Sequence, residues 1–400
     1  MLDIIKVSAL FVLMVLLLRR KWNVGYVLLL SAFLLSASYL MPPARMLLVI
    51  RDAAVEPVTV KLLVALTAIR VFELILRERD ILKEMMASAR ALLRRRRAVM
   101  VSMPLLIGLL PSVGGAYFSA PMVEESSKGA DLSPEEKGFI NYWFRHPWEY
   151  VLPLYPGIVL ASAITGMEMR HLIVSNASYA LMVALTGFAF SMRGAGGRHP
   201  QAGGVSRKGL LSFLPVAAVL LMVMALRIEL HWALLAGLAG LFVFYRYGPK
   251  EILRALRYGL SSEVIVLIGG AMLFKEAMEA SGAIENISGF FGRAGIPLMP
   301  MLFVLPFSAG LLTGLTVGFV GSTFPLLLSF MAAPSLPAVS FAFASGFVGV
   351  LLSPVHVCLV LTREYFKADL WGMYRRTIPA SALIMAVAAL QYLLLRRMAP

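Results

Sequence analysis

Residues 111–121 read Pro-Ser-Val-Gly-Gly-Ala-Tyr-Phe-Ser-Ala-Pro, and they interrupt an apolar segment that opens at Ala98, directly after the basic run Arg94 to Arg97. Pro111 cannot continue a helix cleanly, and Gly114-Gly115 frees the backbone. Ser112 and Ser119 place hydroxyls on either side of the interruption. Backbone broken at membrane depth is tolerated only where protein or a water-filled cavity satisfies the freed groups. The chain repeats the device at Gly314 to Pro325, Gly-Leu-Thr-Val-Gly-Phe-Val-Gly-Ser-Thr-Phe-Pro. Gly114 and Gly318, Ser119 and Thr323, and Pro121 and Pro325 all share one offset, 204 residues (318 − 114). Two Gly/Pro-interrupted apolar segments at corresponding places in two halves point to a transporter binding site.

The composition agrees with a membrane setting. Of 400 residues, 60% are hydrophobic and 15% charged, against about 25% charged in soluble domains; the mean hydropathy is +0.82. The net charge of +15 sits in short loops between apolar spans, where it sets topology and does not call for nucleic acid. The single cysteine, Cys358, excludes an intramolecular disulfide and any multi-cysteine metal or iron–sulfur centre.

Taken in order, the apolar spans are Ile4 to Leu18, Trp22 to Met41 and Pro57 to Leu76, with 44–56 a short connection. The first span has its positive charge after it, at Arg19-Arg20-Lys21, the reverse of a secretory signal. Arg70 and Glu73 stand three apart, which suits a structural pair on one helix face. The segment 77–97 is charged but has apolar residues at helical spacing, as a helix on the membrane surface does. A hairpin over about 98–123 follows, then a polar loop, 124–137. Phe139 to Met167 exceeds the ~20 residues a crossing needs and holds Pro147, Pro153 and Pro156, so a tilted or broken span is expected. Ser175 to Ser191 completes the first half, and 192–209 is a Gly-rich linker. The second half repeats the plan: Leu210 to Leu226, His231 to Tyr247, a basic surface segment Pro249 to Tyr258, Ser262 to Phe274, a hairpin over about 297–331, Leu336 to Leu361 with Pro354, and Ile378 to Leu395.

The fold class expected is therefore an all-α polytopic membrane protein: about ten transmembrane helices plus two re-entrant hairpins, in two repeats, 1–191 and 210–400. Five crossings per half make the repeats inverted. The segments 19–21, 77–97, 193–209, 245–258 and 362–376 carry three, eight, four, four and four Lys/Arg. The opposite connections carry isolated cations only, Arg45, Arg51, Arg170, Arg227 and Arg293. The positive-inside rule then places the first five segments in the cytoplasm and both termini outside.

Pro104 to Glu125 and Phe139 to Gly157 resemble a family of uncharacterised prokaryotic membrane proteins, domain of unknown function 401. That family is grouped with the ion transporter superfamily of gluconate, citrate, dicarboxylate and arsenite carriers. The resemblance implies a prokaryotic inner-membrane carrier with paired hairpins, a midplane site, homodimers and elevator-like motion. The Ser-Asn-Thr signature of the dicarboxylate carriers is absent; Ser119-Ala-Pro and Gly321-Ser322-Thr323 stand at comparable positions.

Hairpin tips present helix N-termini, which favour an anion, while unwound carbonyls and hydroxyls suit Na⁺. Ser112, Gly114, Gly115 and Ser119 are the candidates on one side, and Thr313, Thr316, Gly318, Gly321, Ser322 and Thr323 on the other. Close helix packing by small residues is the competing explanation. Gly318 is expected to tolerate even Ala poorly if its backbone is unwound with φ > 0. His356, two residues after Pro354, is the intramembrane titratable group, able to bind an anion, carry a proton or simply be hydrogen-bonded. Arg145, His146 and Glu149, among Trp143, Trp148 and Tyr150, fit an interfacial belt. The chain has no HExxH, GxSxG or Walker motif. The sequence thus reads as a secondary transporter of a small anion, an organic carboxylate, coupled to Na⁺ or H⁺ and needing no cofactor. A cation/proton antiporter, a channel and an intramembrane protease built on Ser119 and His356 are the alternatives.

Overall fold

The computed structural model describes residues 2–93, 95–111, 115–191, 206–295, 297–331 and 333–398. The fold is all-helical among the described residues. It runs through α1 (Leu2–Arg19), α2 (Val24–Ser38), α3 (Pro43–Val55), α4 (Pro57–Glu78) and α5 (Ile81–Leu92) to a pair, α6 (Arg96–Ile107) and α7 (Gly115–Ser126). Then come α8 (Pro134–Trp143), α9 (Trp148–Val151), α10 (Pro156–Thr165) and α11 (Met169–Ser191). The second half holds α12 (Arg207–Leu211), α13 (Leu214–Met224), α14 (Leu230–Phe244), α15 (Pro249–Gly259), α16 (Ser262–Ala280) and α17 (Ala283–Ala294). It ends with the pair α18 (Leu298–Thr313) and α19 (Thr316–Leu328), then α20 (Leu336–Leu352), α21 (Val357–Phe366) and α22 (Leu370–Met398).

Local chemistry sets many of these boundaries. Asn23 caps α2 by accepting from the Gly25 N–H at 2.9 Å. Ser133 and Glu136 form a reciprocal capping box at α8. Proline begins α3, α4, α8, α10 and α15, where its missing N–H costs nothing. The long Phe139–Met167 run is broken into α8, α9 and α10, as its prolines require. Leu336–Leu361 is likewise interrupted, at Ser353 to His356. Two expectations change. The 44–56 connection is mostly helix, α3, because Pro43 starts it and no breaker follows until Pro57. The linker expectation for 192–209 falls largely outside the described residues; Arg207–Leu211 is helical.

Four helices among the described residues are long and apolar enough to cross a bilayer: Met169–Ser191, Arg207–Met224, Leu336–Phe366 and Leu370–Arg397. A fifth crossing results if Pro249–Gly259 and Ser262–Ala280, bent by 44°, count as one. The remaining apolar helices are shorter, such as α2 and α14 with 15 residues each, or carry charge within their length. Asp3 and Lys6 lie in α1, and Lys61, Arg70 and Glu73 in α4.

Small residues bring the helix axes together. A Cβ on Gly310 of α18 would collide with the Gly346 carbonyl of α20, and one on Gly270 of α16 with the Gly25 carbonyl of α2. The charged connections sort to two ends. At one end Arg90 pairs with Glu125 at 2.7 Å, Lys208 with Glu84 at 2.9 Å, Arg254 with Glu78 at 3.0 Å and Arg376 with Glu136 at 2.7 Å. These contacts gather 77–97, 124–137, 206–209, 245–258 and 362–376. At the other, Arg45 donates to the Ala280 carbonyl at 2.6 Å and Lys275 lies 3.6 Å from Glu56. Arg70 pairs across to Glu263 at 3.7 Å, not to Glu73 three residues along its own helix.

Candidate functional site

Three interruptions of regular helix meet in the interior. The first is the joint of α18 and α19, where Gly314 is left-handed (φ 64°) and Leu315 extended before α19 starts at Thr316. The second is the break between α20 and α21. The two are in contact: the Gly314 carbonyl accepts from His356 Nδ1 at 2.7 Å. A Cβ on Gly314 would stand 2.9 Å from the His356 backbone N and Cα. The third is the turn from α8 into α9, which carries Arg145 and His146, with Glu149 in the first turn of α9.

Glu149 joins the third interruption to the first. Its carboxylate accepts from Thr316 Oγ1 at 2.7 Å. Thr316 is the first residue of α19, so the positive end of that helix already faces a carboxylate of the protein's own. Behind this contact, α10 reaches α19 so closely that a Cβ on Gly157 would collide with the Thr316 side chain.

His146 joins the third interruption to the second. Its Nε2 is 3.1 Å from His356 Nε2, and its Nδ1 donates to the Tyr142 carbonyl at 2.6 Å. His146 is fully buried, and His356 and Cys358 nearly so. The Cys358 sulfur and the two imidazole nitrogens lie within 4.8 Å of one another, a donor set that could hold a metal ion. Arg145 is 3% exposed and within electrostatic reach of Glu149, Cys358 and Glu73. A fixed frame positions the cluster. Tyr142 OH donates to the Leu351 carbonyl at 2.8 Å, Trp148 Nε1 to Leu105 at 2.7 Å and Tyr155 OH to Gly108 at 2.6 Å. Each ties the α8–α10 run to α20 or to the end of α6.

The sequence-derived candidates divide into several groups. Ser112 and Gly114 lie outside the described residues. Gly115 is the first residue of α7, and Ser119 one turn later donates to Asn141 Oδ1 at 2.6 Å. Asn141 in turn donates to the Ala116 carbonyl at 2.9 Å and to Thr362 Oγ1 at 3.0 Å, linking α7, α8 and α21. Thr313, Ser322 and Thr323 hydroxyls each donate to the carbonyl four residues back in their own helices, at 2.8, 2.6 and 2.6 Å. Gly321 is buried against Leu28 of α2. Thr316 and His356 are the candidates that reach the cluster. Gly318 is not unwound. It is helical within α19, and the positive φ falls four residues earlier, at Gly314.

Arg145, His146, Trp143 and Tyr150 do not form an interfacial belt; all four are buried within the protein. Trp143 Nε1 donates to the Val183 carbonyl at 2.8 Å. The signal that could have found them is the Arg-His-x-x-Glu pattern just ahead of a proline break. A charged triplet there is costly unless it lines a site. Cys358 could have been found the same way, two residues from His356.

A cavity of about 430 Å³ opens at the far end of α10, lined by Val159, Ser162, Gly166, Lys61, Arg170 and Arg227, among others. It does not include the histidine cluster, but α10 connects the two, from Gly157 against Thr316 to Val159 and Ser162 in the cavity lining. Lys61 bonds Glu229 there at 2.7 Å and holds its carboxyl below the usual range.

Residues 5–395 match the model of a protein family described as protein of unknown function, DUF401. No curated protein matches the chain.

Proposed function

The chain belongs to the DUF401 family, which brings no activity with it, and we propose that it is a secondary transporter of a small anion, an organic carboxylate, coupled to Na⁺ or H⁺. The observation that carries this reading is the buried convergence of Arg145, His146 and Glu149 with His356 and the α18–α19 joint. Ionisable groups held at such depth are costly and mark substrate or ion pathways. Arg145 is the counter-charge we assign to the substrate. Glu149 keeps the α19 N-terminus from standing as a bare positive pole while the site is empty of substrate. The cavity at the end of α10 is the approach from one side of the membrane; Lys61 and Arg170 in its lining pair with Glu229 and Glu168, and Arg227 adds a further cation.

The architecture that goes with this function is two inverted repeats with re-entrant pairs α6–α7 and α18–α19. Crossed packing supports it. Helix α2 packs on α16 as α14 packs on α4, and α3 on α16 as α15 on α4. Helix α10 packs on α19 as α21 packs on α7, and α11 on α20 as α22 on α8. In these four pairings each element takes the partner that its counterpart takes in the other half, as a pseudo-two-fold axis would require. The basic segments gathered at one end give the cytoplasmic face. With α6–α7 and α18–α19 as returning pairs, five crossings remain in each half, and the two halves have opposite orientation. On this reading the chain is a carrier of the ion transporter type in a prokaryotic inner membrane.

The test is uptake of radiolabelled di- and tricarboxylates into proteoliposomes, with an imposed Na⁺ or H⁺ gradient. Uphill accumulation and counterflow are expected, both lost in Arg145→Gln at matched protein level. Downhill flux without counterflow supports a channel instead. Unchanged uptake in Arg145→Gln removes the site from where it is drawn.

A further inference from the structure

The contact between His146 and His356 has an unusual requirement. A backbone carbonyl only accepts, so each Nδ1 in contact with one must carry its proton. His146 Nδ1 meets the Tyr142 carbonyl at 2.6 Å, and His356 Nδ1 meets that of Gly314 at 2.7 Å. Both neutral rings are thereby fixed as Nδ1–H tautomers, and both Nε2 atoms present lone pairs. Those lone pairs face each other at 3.1 Å. Two acceptors at that distance repel unless a cation stands between them. A second donor atom type is present at the same point, the Cys358 sulfur, within 4.8 Å of both nitrogens.

We propose that His146, His356 and Cys358 form a binding site for a thiophilic d¹⁰ metal ion of the zinc(II) class. Two imidazoles and a thiolate are the ligands such an ion selects. Imidazoles whose remaining N–H donates to a carbonyl are the usual form of a metal-ligating histidine, since the outer bond fixes the tautomer and aims the lone pair. The spacing suits the ion. With Zn–N bonds of ~2.0–2.1 Å, the nitrogen–nitrogen edge of a tetrahedron is about 3.3 Å, close to the 3.1 Å observed. The sulfur closes by no more than about 1.2 Å to reach a tetrahedral nitrogen–sulfur edge of about 3.6 Å.

Charge also favours the arrangement. The thiolate and the Glu149 carboxylate, whose Oε1 is 3.9 Å from His146 Nε2, offset Arg145 and part of a dication's charge. Three protein ligands leave a fourth position open, as in zinc sites that take an exogenous ligand. The three ligands come from α21 and its preceding break and from the α8–α9 turn. The ion would therefore fasten these two interruptions to each other. The inference stands apart from the transport reading, because metal binding is measurable with no substrate known.

The lone cysteine makes the test selective. Purified full-length protein in detergent is stripped with chelator and titrated with Co²⁺, the spectroscopic substitute for Zn²⁺. A thiolate-to-cobalt charge-transfer band in the near ultraviolet can arise only from Cys358, since the chain has one cysteine. Saturation at one Co²⁺ per chain is expected, with displacement by Zn²⁺. Cys358→Ala should abolish the band. His146→Gln and His356→Gln should each weaken Zn²⁺ binding by more than the ~10–100-fold typical of losing an outer-shell partner. His171→Gln, at an exposed histidine, should leave binding unchanged. Thermal melts of each variant identify any that fail to fold, and Cys358→Ser provides a near-isosteric second variant for the band. No charge-transfer band on the wild-type chain, or Zn²⁺ binding that survives Cys358→Ala and His356→Gln together, overturns the proposal. In that event a proton shared between the two Nε2 atoms is the cation the geometry requires.

Discussion

Substituting Gly314 by alanine tests the joint on which the site is built, and Gly166 supplies its control. Both glycines are left-handed, with φ of 64° and 68°. An L-residue in that region costs roughly 1–2 kcal/mol, and both variants should show this loss. They differ in surroundings. A Cβ at Gly166 meets nothing within 4 Å, while one at Gly314 stands 2.9 Å from His356 N and Cα and 3.1 Å from Ser353 Oγ. The atoms it meets are mainly backbone, and the His356 ring bond to the Gly314 carbonyl pins them to the same joint. They cannot rotate away as a side-chain tip can. Overpacking of this kind typically costs ~1–3 kcal/mol, so Gly314→Ala should lose about 2–5 kcal/mol in all. Equilibrium unfolding of the purified protein, followed by tryptophan fluorescence, measures the two losses side by side. Equal losses in the two variants would refute the claim that the joint is pressed against the α20–α21 break.

Thr316→Val keeps the shape of the α19 N-terminus but removes the 2.7 Å bond to Glu149; a hydrogen bond to a charged group contributes ~1.5–3 kcal/mol, so denaturant unfolding of the purified variant should show a loss of about that size. Ser119→Ala should destabilise the fold by ~1–3 kcal/mol, because it leaves buried Asn141 short of a partner. Thr323→Val removes a bond made only within its own helix and should leave stability within ~0.5 kcal/mol; denaturant midpoints of the two compare them directly. Single cysteines in 124–137 and 276–292, on a Cys358→Ala background, should differ in labelling by an impermeant reagent in intact cells. Labelling at 124–137 would refute the cytoplasmic assignment of that end.

The sequence by itself determined the all-helical, apolar class of the chain and where its longest apolar runs are interrupted. Apolar runs and prolines with no N–H to give act locally, so they can be read without knowing what touches what. Pro153, Pro156 and Pro354 break their helices wherever those helices lie. Thr316 and His356 were legible as site candidates for the same reason, since each stands beside such a break. Only the tertiary structure decided which polar residues meet. His146 and His356 are 210 residues apart, and Glu149 and Thr316 are 167 apart. No periodicity carries such a pairing. Thr323 and Arg145 make the contrast plain. A hydroxyl beside a glycine break looks free until its own helix supplies a carbonyl four residues back, and an arginine among aromatics looks interfacial until other helices cover it. Whether a polar group near a break faces a ligand, its own helix or another break depends on how the helices cross. That crossing is set by close approaches such as Gly310 on Gly346, made by surfaces far apart in the chain.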